Sequence, residues 1–191
     1  RIFGFGTDDM KDMRTNNKNY GIKIINVDET GKVQFAVYGY MVRGMHEGHV
    51  GAAFYSYSSM QDTVEENVYV DSTKSVGIIS RDVEKLSYVN KSETCYVLID
   101  GSIYAIDMTT RESRVIVSGL NEDRLRISGT GETAAWQENG KLYSCGKITF
   151  MNLNDGTSKE VTADSGDYIM PLGFMKENLV YGMAHADRKS T

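Results

Sequence analysis

Residues 127–162 read ISGTGETAAWQENGKLYSCGKITFMNLNDGTSKEVT, and this stretch decides the fold. Two apolar runs, Ala134-Ala135-Trp136 and Ile148-Thr149-Phe150-Met151, are separated by Asn139-Gly140 and flanked by Gly131 and Asn154-Asp155-Gly156. Short alternating runs have the period of half-buried strands. Gly, Asn and Asp between them supply the positive φ that tight hairpin turns require. The unit reads as four short antiparallel strands.

The same succession recurs on both sides of it. INVDETGKVQFAVYG from Ile25, IISRDVEKLSYVN from Ile78 and PLGFMKENLVYG from Pro171 each read as a strand, a polar turn and a second strand with an aromatic. With Trp136, those aromatics are Phe35, Tyr88 and Tyr181, at intervals of 53, 48 and 45 residues. A second pair of strands follows in the first three units, from Ala52, Gly101 and Gly146. Four strands in a unit of about 45 residues is the arithmetic of a propeller blade. An isolated four-stranded sheet leaves two apolar faces bare, so the units must stack.

The expected fold is therefore all-β: a β-propeller or partial propeller of about four blade-length repeats, each an antiparallel four-stranded sheet. Residues 1–191 form a single such domain, with repeats near 21–72, 73–121, 122–165 and an incomplete 166–191. Either Arg1 to Gly6 completes the last sheet, or the chain is part of a larger propeller, which is the preferred reading. No window of a dozen residues carries a helical stripe. Ser58 to Asn67 reads as a hairpin connection and Met10 to Asn19 as an inter-strand loop.

The 127–162 unit also resembles the blade repeat of TolB-like (WD40-like) propellers of bacteria. The matching places are Ser128, Gly131, Ala134 to Trp136, Ile148 to Leu153, Gly156 and Val161-Thr162. The second unit keeps the Ile103 to Met108 strand and has Val83-Glu84 where the Gly turn is expected, and the first has the longer link MVRGMHEGHVG from Met41. The resemblance implies a rigid, non-enzymatic platform of the cell envelope or a secreted protein. It also allows a propeller attached to a hydrolase or peptidase.

Composition bounds the partners. With 40% hydrophobic and 25% charged residues the chain is globular, and a net charge of −5 with no Lys/Arg cluster argues against a nucleic-acid partner. No run approaches the roughly 18 apolar residues of a membrane span. Cys95 and Cys145 have no CxxC spacing and read as two free thiols, with one disulfide as the alternative.

Three strings look like motifs and fail on chemistry. Gly129 to Ala134 matches a dinucleotide fingerprint, but a turn follows where a helix N-terminus must face the pyrophosphate. His46-Glu47-Gly48-His49 lacks the His-Glu-x-x-His spacing that puts two imidazoles on one helix face. Asn152 to Gly156 lacks the third oxygen ligand and the distal Glu of a calcium loop. No cofactor is expected.

One cluster has a geometric reason. In such a sheet the link between the second and third strands and the link to the next sheet leave at one rim. Arg43, His46, Glu47 and His49 occupy that link in the first unit, and His185 with Asp187 the corresponding one in the fourth. These six residues are the candidates for binding a metal ion or polar ligand. The expected function is recognition of a protein, peptide or glycan through this loop face, with tyrosine-rich Phe54 to Tyr57 as contact area or packing.

Overall fold

A computed structural model describes residues 20–120, 123–137 and 144–185. The expectations for Arg1 to Gly6, the Met10 to Asn19 loop, the Asn139-Gly140 turn and Asp187 lie outside these residues. The first sheet has β1 (Tyr20–Val27), β2 (Lys32–Tyr40), β3 (Val50–Ser58) and β4 (Thr63–Asp71). The second has β5 (Ser87–Val89), β6 (Thr94–Ile99), β7 (Ser102–Asp107) and β8 (Ser113–Val117). The third has β9 (Leu125–Ile127), β10 (Thr133–Gln137), β11 (Lys147–Asn152) and β12 (Ser158–Thr162), and the last has β13 (Asp167–Met175) and β14 (Asn178–His185). Every sheet is antiparallel with its strands in chain order, so the fold is all-β with the blade arrangement of a partial propeller.

The repeat is visible in the turn that leads into each second strand. The Asp28 carboxylate accepts the N–H groups of Thr30 and Lys32, at 2.8 and 3.0 Å. Asn90 Oδ1 does the same for Ser92 and Thr94, at 3.0 and 2.9 Å. Ser128 Oγ accepts from Thr133 N–H at 3.2 Å in the third sheet. Each turn then passes through a left-handed residue: Gly31 at φ 78°, Glu93 at φ 59°, Gly131 at φ 79°. A short side-chain acceptor followed by a positive-φ residue is the turn chemistry such reversals need.

That equivalence corrects the sequence reading of the second unit. Residues 78–85, read there as strand and turn, belong to a helix, α1 (Val76–Lys85). The Gly-turn position is held by Asn90 to Glu93, not by Val83-Glu84. Tyr88 lies on β5, a first strand, whereas Phe35, Trp136 and Tyr181 lie on second strands. Counting three residues from the first of each second strand gives Phe35, Val97, Trp136 and Tyr181. The second sheet thus has a valine at the repeating position.

The helix exists because Ile79 and Val83, one turn apart, are both fully buried between the first two sheets. Its ten residues are too short for a dozen-residue stripe to show. Lys23 Nζ, from β1, donates to the carbonyls of Val83 and Glu84 at 3.1 Å each, capping the C-terminal end where free carbonyls collect. The Tyr38 hydroxyl donates to Glu84 at 3.1 Å.

Stacking buries one face of each sheet against the next. Between the first and second lie Ala36, Tyr38, Ala52 and Phe54 against Cys95, Val97, Ile99 and Ile106. Between the second and third, Tyr96, Leu98 and Ile103 meet Ala134, Trp136, Met151 and Leu153. The third meets the last through Ala135 and Ile148 against Ile169, with Phe174 and Leu179 beside them. Small residues on one sheet facing large ones on the next let the layers interdigitate at native density. Cys95 and Cys145 are both free and buried, and burial pushes the Cys95 thiol up to about 12.

Candidate functional site

Chain-order pairing fixes where the links emerge. Ser72 N–H donates to Val50 O, Leu120 N–H to Gly101 O and Ala163 N–H to Gly146 O, each at 2.8 Å. In all three sheets the link that leaves the fourth strand begins beside the link between second and third strands. One rim therefore carries both kinds of link, and α1 sits in the longest of the sheet-to-sheet connections.

On that rim α1 makes one wall of a cavity of about 450 Å³. Ile78, Leu98, Leu120 and Leu125 give it an apolar floor, and Lys74, Arg81, Lys85 and Asp123 stand around it. Leu98, Leu120 and Leu125 are buried while Lys74, Arg81 and Asp123 are exposed, so the polarity runs from floor to mouth. Ile78, Arg81 and Lys85 recur at spacings of three and four, which brings them to one side of the helix, and Lys74 stands just before its first turn.

The cavity is held rigidly from beneath. Its corner is the Asp100-Gly101 turn, with φ 53° and 71°. A Cβ on Gly101 would come within 2.3 Å of Leu120 O, so only glycine lets the two links approach. The Asp100 carboxylate accepts the Ser72 hydroxyl at 2.7 Å and Thr73 N–H at 3.2 Å. Buried Asp82 projects from α1 onto the backbone N–H groups of Gly101 and Asp100; burial raises its carboxyl above the usual range, against those donors and Arg81. Asp82 thus joins the helix to the turn, and Asp100 joins the turn to the segment that leads into the helix.

The histidines of the rim are placed as follows. His46 and His49 lie in the β2–β3 link. The His46 ring stacks on Tyr69 with centroids 3.7 Å apart, and its Nε2 is 2.6 Å from Glu66 Oε1. The Tyr55 hydroxyl donates to the other Glu66 oxygen at 2.9 Å, and burial first, then Glu66, raises the phenol. Exposed His49 stands 3.4 Å from Asp71, which also accepts from the Tyr69 hydroxyl at 3.3 Å. Burial and Asp71 push Tyr69 up to about 12. The link is thereby folded down onto the Phe35, Val37 and Ala53 face of the first sheet.

Arg43 and Glu47 are exposed in the same link. His185 ends β14, with Nδ1 2.8 Å from Asp167 on β13; that hydrogen bond raises its pKa above the ordinary imidazole value. The structure brings His46 and His49 to neighbouring carboxylates of the first sheet and His185 to a carboxylate of the last. Among the described residues no group of three or more His, Cys, Asp or Glu is arranged to hold a metal ion.

Sequence reasoning missed the cavity because it missed α1. The signal was present: Ile79, Val83 and Leu86 at i, i+4 and i+7 describe a buried stripe, with Lys74, Arg81 and Lys85 off it.

Among the described residues no helix is long and apolar enough to cross a membrane. No protein family and no curated protein matches the chain. Five solved chains match it, among them the crystal structure of TolB from Acinetobacter baumannii, with 12% identity and a TM-score of 0.30. The match covers 95% of this chain and 55% of that one, so the chain spans about half the length of that structure. The propeller assignment rests on the sheets and turns of the chain itself.

Proposed function

We propose that this chain is a non-catalytic binding module that takes a peptide or protein segment on its loop-bearing rim, outside the cytoplasm as the repeat resemblance implies. The observation that carries the reading is the α1 cavity: an apolar floor under a charged mouth, on a corner fixed by Asp82, Asp100 and Gly101. A preformed pocket with a few polar groups at its edge is the usual shape of a recognition site. Among the described residues its lining includes no aromatic ring, which favours an aliphatic side chain with an acidic neighbour over a glycan. Arg43, His46, Glu47, His49, His185 and Asp187 are proposed as the outlying contacts of a larger partner.

Panning a random-peptide display library over the immobilised chain tests this. Survivors are expected to combine aliphatic and acidic residues, and to bind the Arg81→Glu/Lys85→Glu double variant at least about tenfold more weakly, or about 1.4 kcal/mol. No enrichment, or equal binding to the variant, overturns the reading.

A further inference from the structure

The mouth of the α1 cavity carries charges of both signs, brought there by different stretches of chain. The helix and the residue before its first turn supply Lys74, Arg81 and Lys85, and a separate wall supplies Asp123, which stands between the floor residues Leu120 and Leu125 in sequence. The other two acids of the lining are committed to the corner beneath. Asp82 accepts backbone N–H groups of the Asp100-Gly101 turn, and Asp100 accepts from Ser72 and Thr73. Asp123 has no such commitment. It is exposed, and it makes no hydrogen bond or ion pair with another described residue, so none of the three cations closes onto it.

That separation has a chemical consequence. A surface ion pair closed across the mouth would contribute little to stability and would hide both signs from a partner. Held apart over an apolar floor, the two walls discriminate instead. A partner group that is only anionic is repelled by Asp123, and one that is only cationic is repelled from the α1 side. Complementary charge selects the partner and fixes its orientation more than it adds affinity.

We infer, resting on the peptide-binding function proposed above, that the partner segment is dipolar and that Asp123 is the residue that selects its basic end. An aliphatic side chain sits on the floor of Ile78, Leu98, Leu120 and Leu125. An acidic residue beside it turns to the α1 wall, and a Lys or Arg on its other side turns to Asp123. The two walls differ in sign, so only one direction of the segment satisfies both. The acid gives the segment its hold on the cavity, and the base gives it its register.

Panning one random-peptide display library in parallel over the wild-type chain and over Asp123→Lys tests the inference. Survivors on wild type are expected to carry Lys or Arg within a few residues of the aliphatic and acidic pair. Survivors on Asp123→Lys should lose that base and keep the pair. A synthetic copy of one wild-type survivor should bind Asp123→Asn about threefold more weakly, the same loss as when its own base is replaced by Gln. The two changes together should cost no more than either alone, because they remove one interaction. Asp123 is exposed, so the thermal melts of both variants should match wild type. Wild-type survivors without a base, survivors equally basic on both baits, or losses that add overturn the inference and leave the proposed binding function standing. A wild-type chain that enriches no peptide overturns both.

Discussion

Asp28 and Asn90 hold the same turn in adjacent sheets, yet they face opposite surroundings. Each accepts two backbone N–H groups, at i+2 and i+4. Asp28 does so at the surface. Asn90 is 8% exposed, and its amide also donates to the carbonyls of Leu153 and Asn154 in the third sheet, at 3.1 and 3.2 Å. One side chain therefore closes a turn, while the other closes a turn and fastens two sheets together. The Tyr88 hydroxyl donates to Asn154 at the same junction. A position that looks interchangeable along the chain is decided by what stacks on its far side.

The largest test of that difference is Asn90→Asp. A carboxylate keeps the oxygen that accepts both turn N–H groups but replaces the amide NH2 by a second oxygen that faces the Leu153 and Asn154 carbonyls. A buried charge without a partner costs about 3–5 kcal/mol, so a large fall in the urea midpoint is expected. Asn90→Ala removes the turn acceptor as well as the donors but adds no repulsion, and should cost less than Asn90→Asp. If Asn90→Asp is no worse than Asn90→Ala, the amide contacts to the third sheet contribute nothing and the two turns are alike.

This pair also shows how far the sequence could be read. Strand, turn and strand were legible wherever the chemistry is local: Asp28 to Gly31 and Ser128 to Gly131 announce their turns. Asn90 to Glu93 does not announce its turn, because Glu93 stands in the left-handed place that Gly31 and Gly131 fill. The repeat pattern falls instead on Val83-Glu84 and Tyr88. Glu93 is accepted there by tertiary context, since its carboxylate pairs with Lys32 of the first sheet. The helix was lost for a related reason: Ile78-Ile79 begins like a strand, and only burial between the sheets selects the other conformation. At the rim, the topology of the links was legible from strand order. The charge and floor of the cavity were not, because they join residues from three stretches of chain, 74–85, 98–101 and 120–125.

A test of intermediate size falls on the left-handed position. Gly31→Ala puts a Cβ on a residue at φ 78°, which costs about 1–2 kcal/mol, and brings it within 2.7 Å of the Ser59 hydroxyl. A modest fall in the urea midpoint is expected. Glu93→Gly should move stability less, because relief of the backbone is offset by loss of the contact with Lys32. A Gly31→Ala variant as stable as wild type would mean that the first turn relaxes freely and is no template for the second.

The smallest effect is the one that separates an aspartate turn from an asparagine turn by pH. The Thr30 hydroxyl above all, opposed by burial and aided by the N–H groups of Lys32 and Thr30, holds the Asp28 carboxyl below its ordinary value of 3.8. A carboxylate depressed in the folded state contributes stability that is complete above its unfolded pKa and is lost as pH falls through its folded pKa. Asn90 makes the equivalent contacts with a group that does not titrate. Asp28→Asn should therefore leave the urea midpoint near wild type at neutral pH and lose less of it in acid. All other carboxylates are common to the two proteins, so the difference between their pH profiles isolates this turn. Parallel profiles would mean that Asp28 binds its proton equally in the folded and unfolded chain, and that its hydrogen bonds to Thr30 and Lys32 do not favour the ionised form.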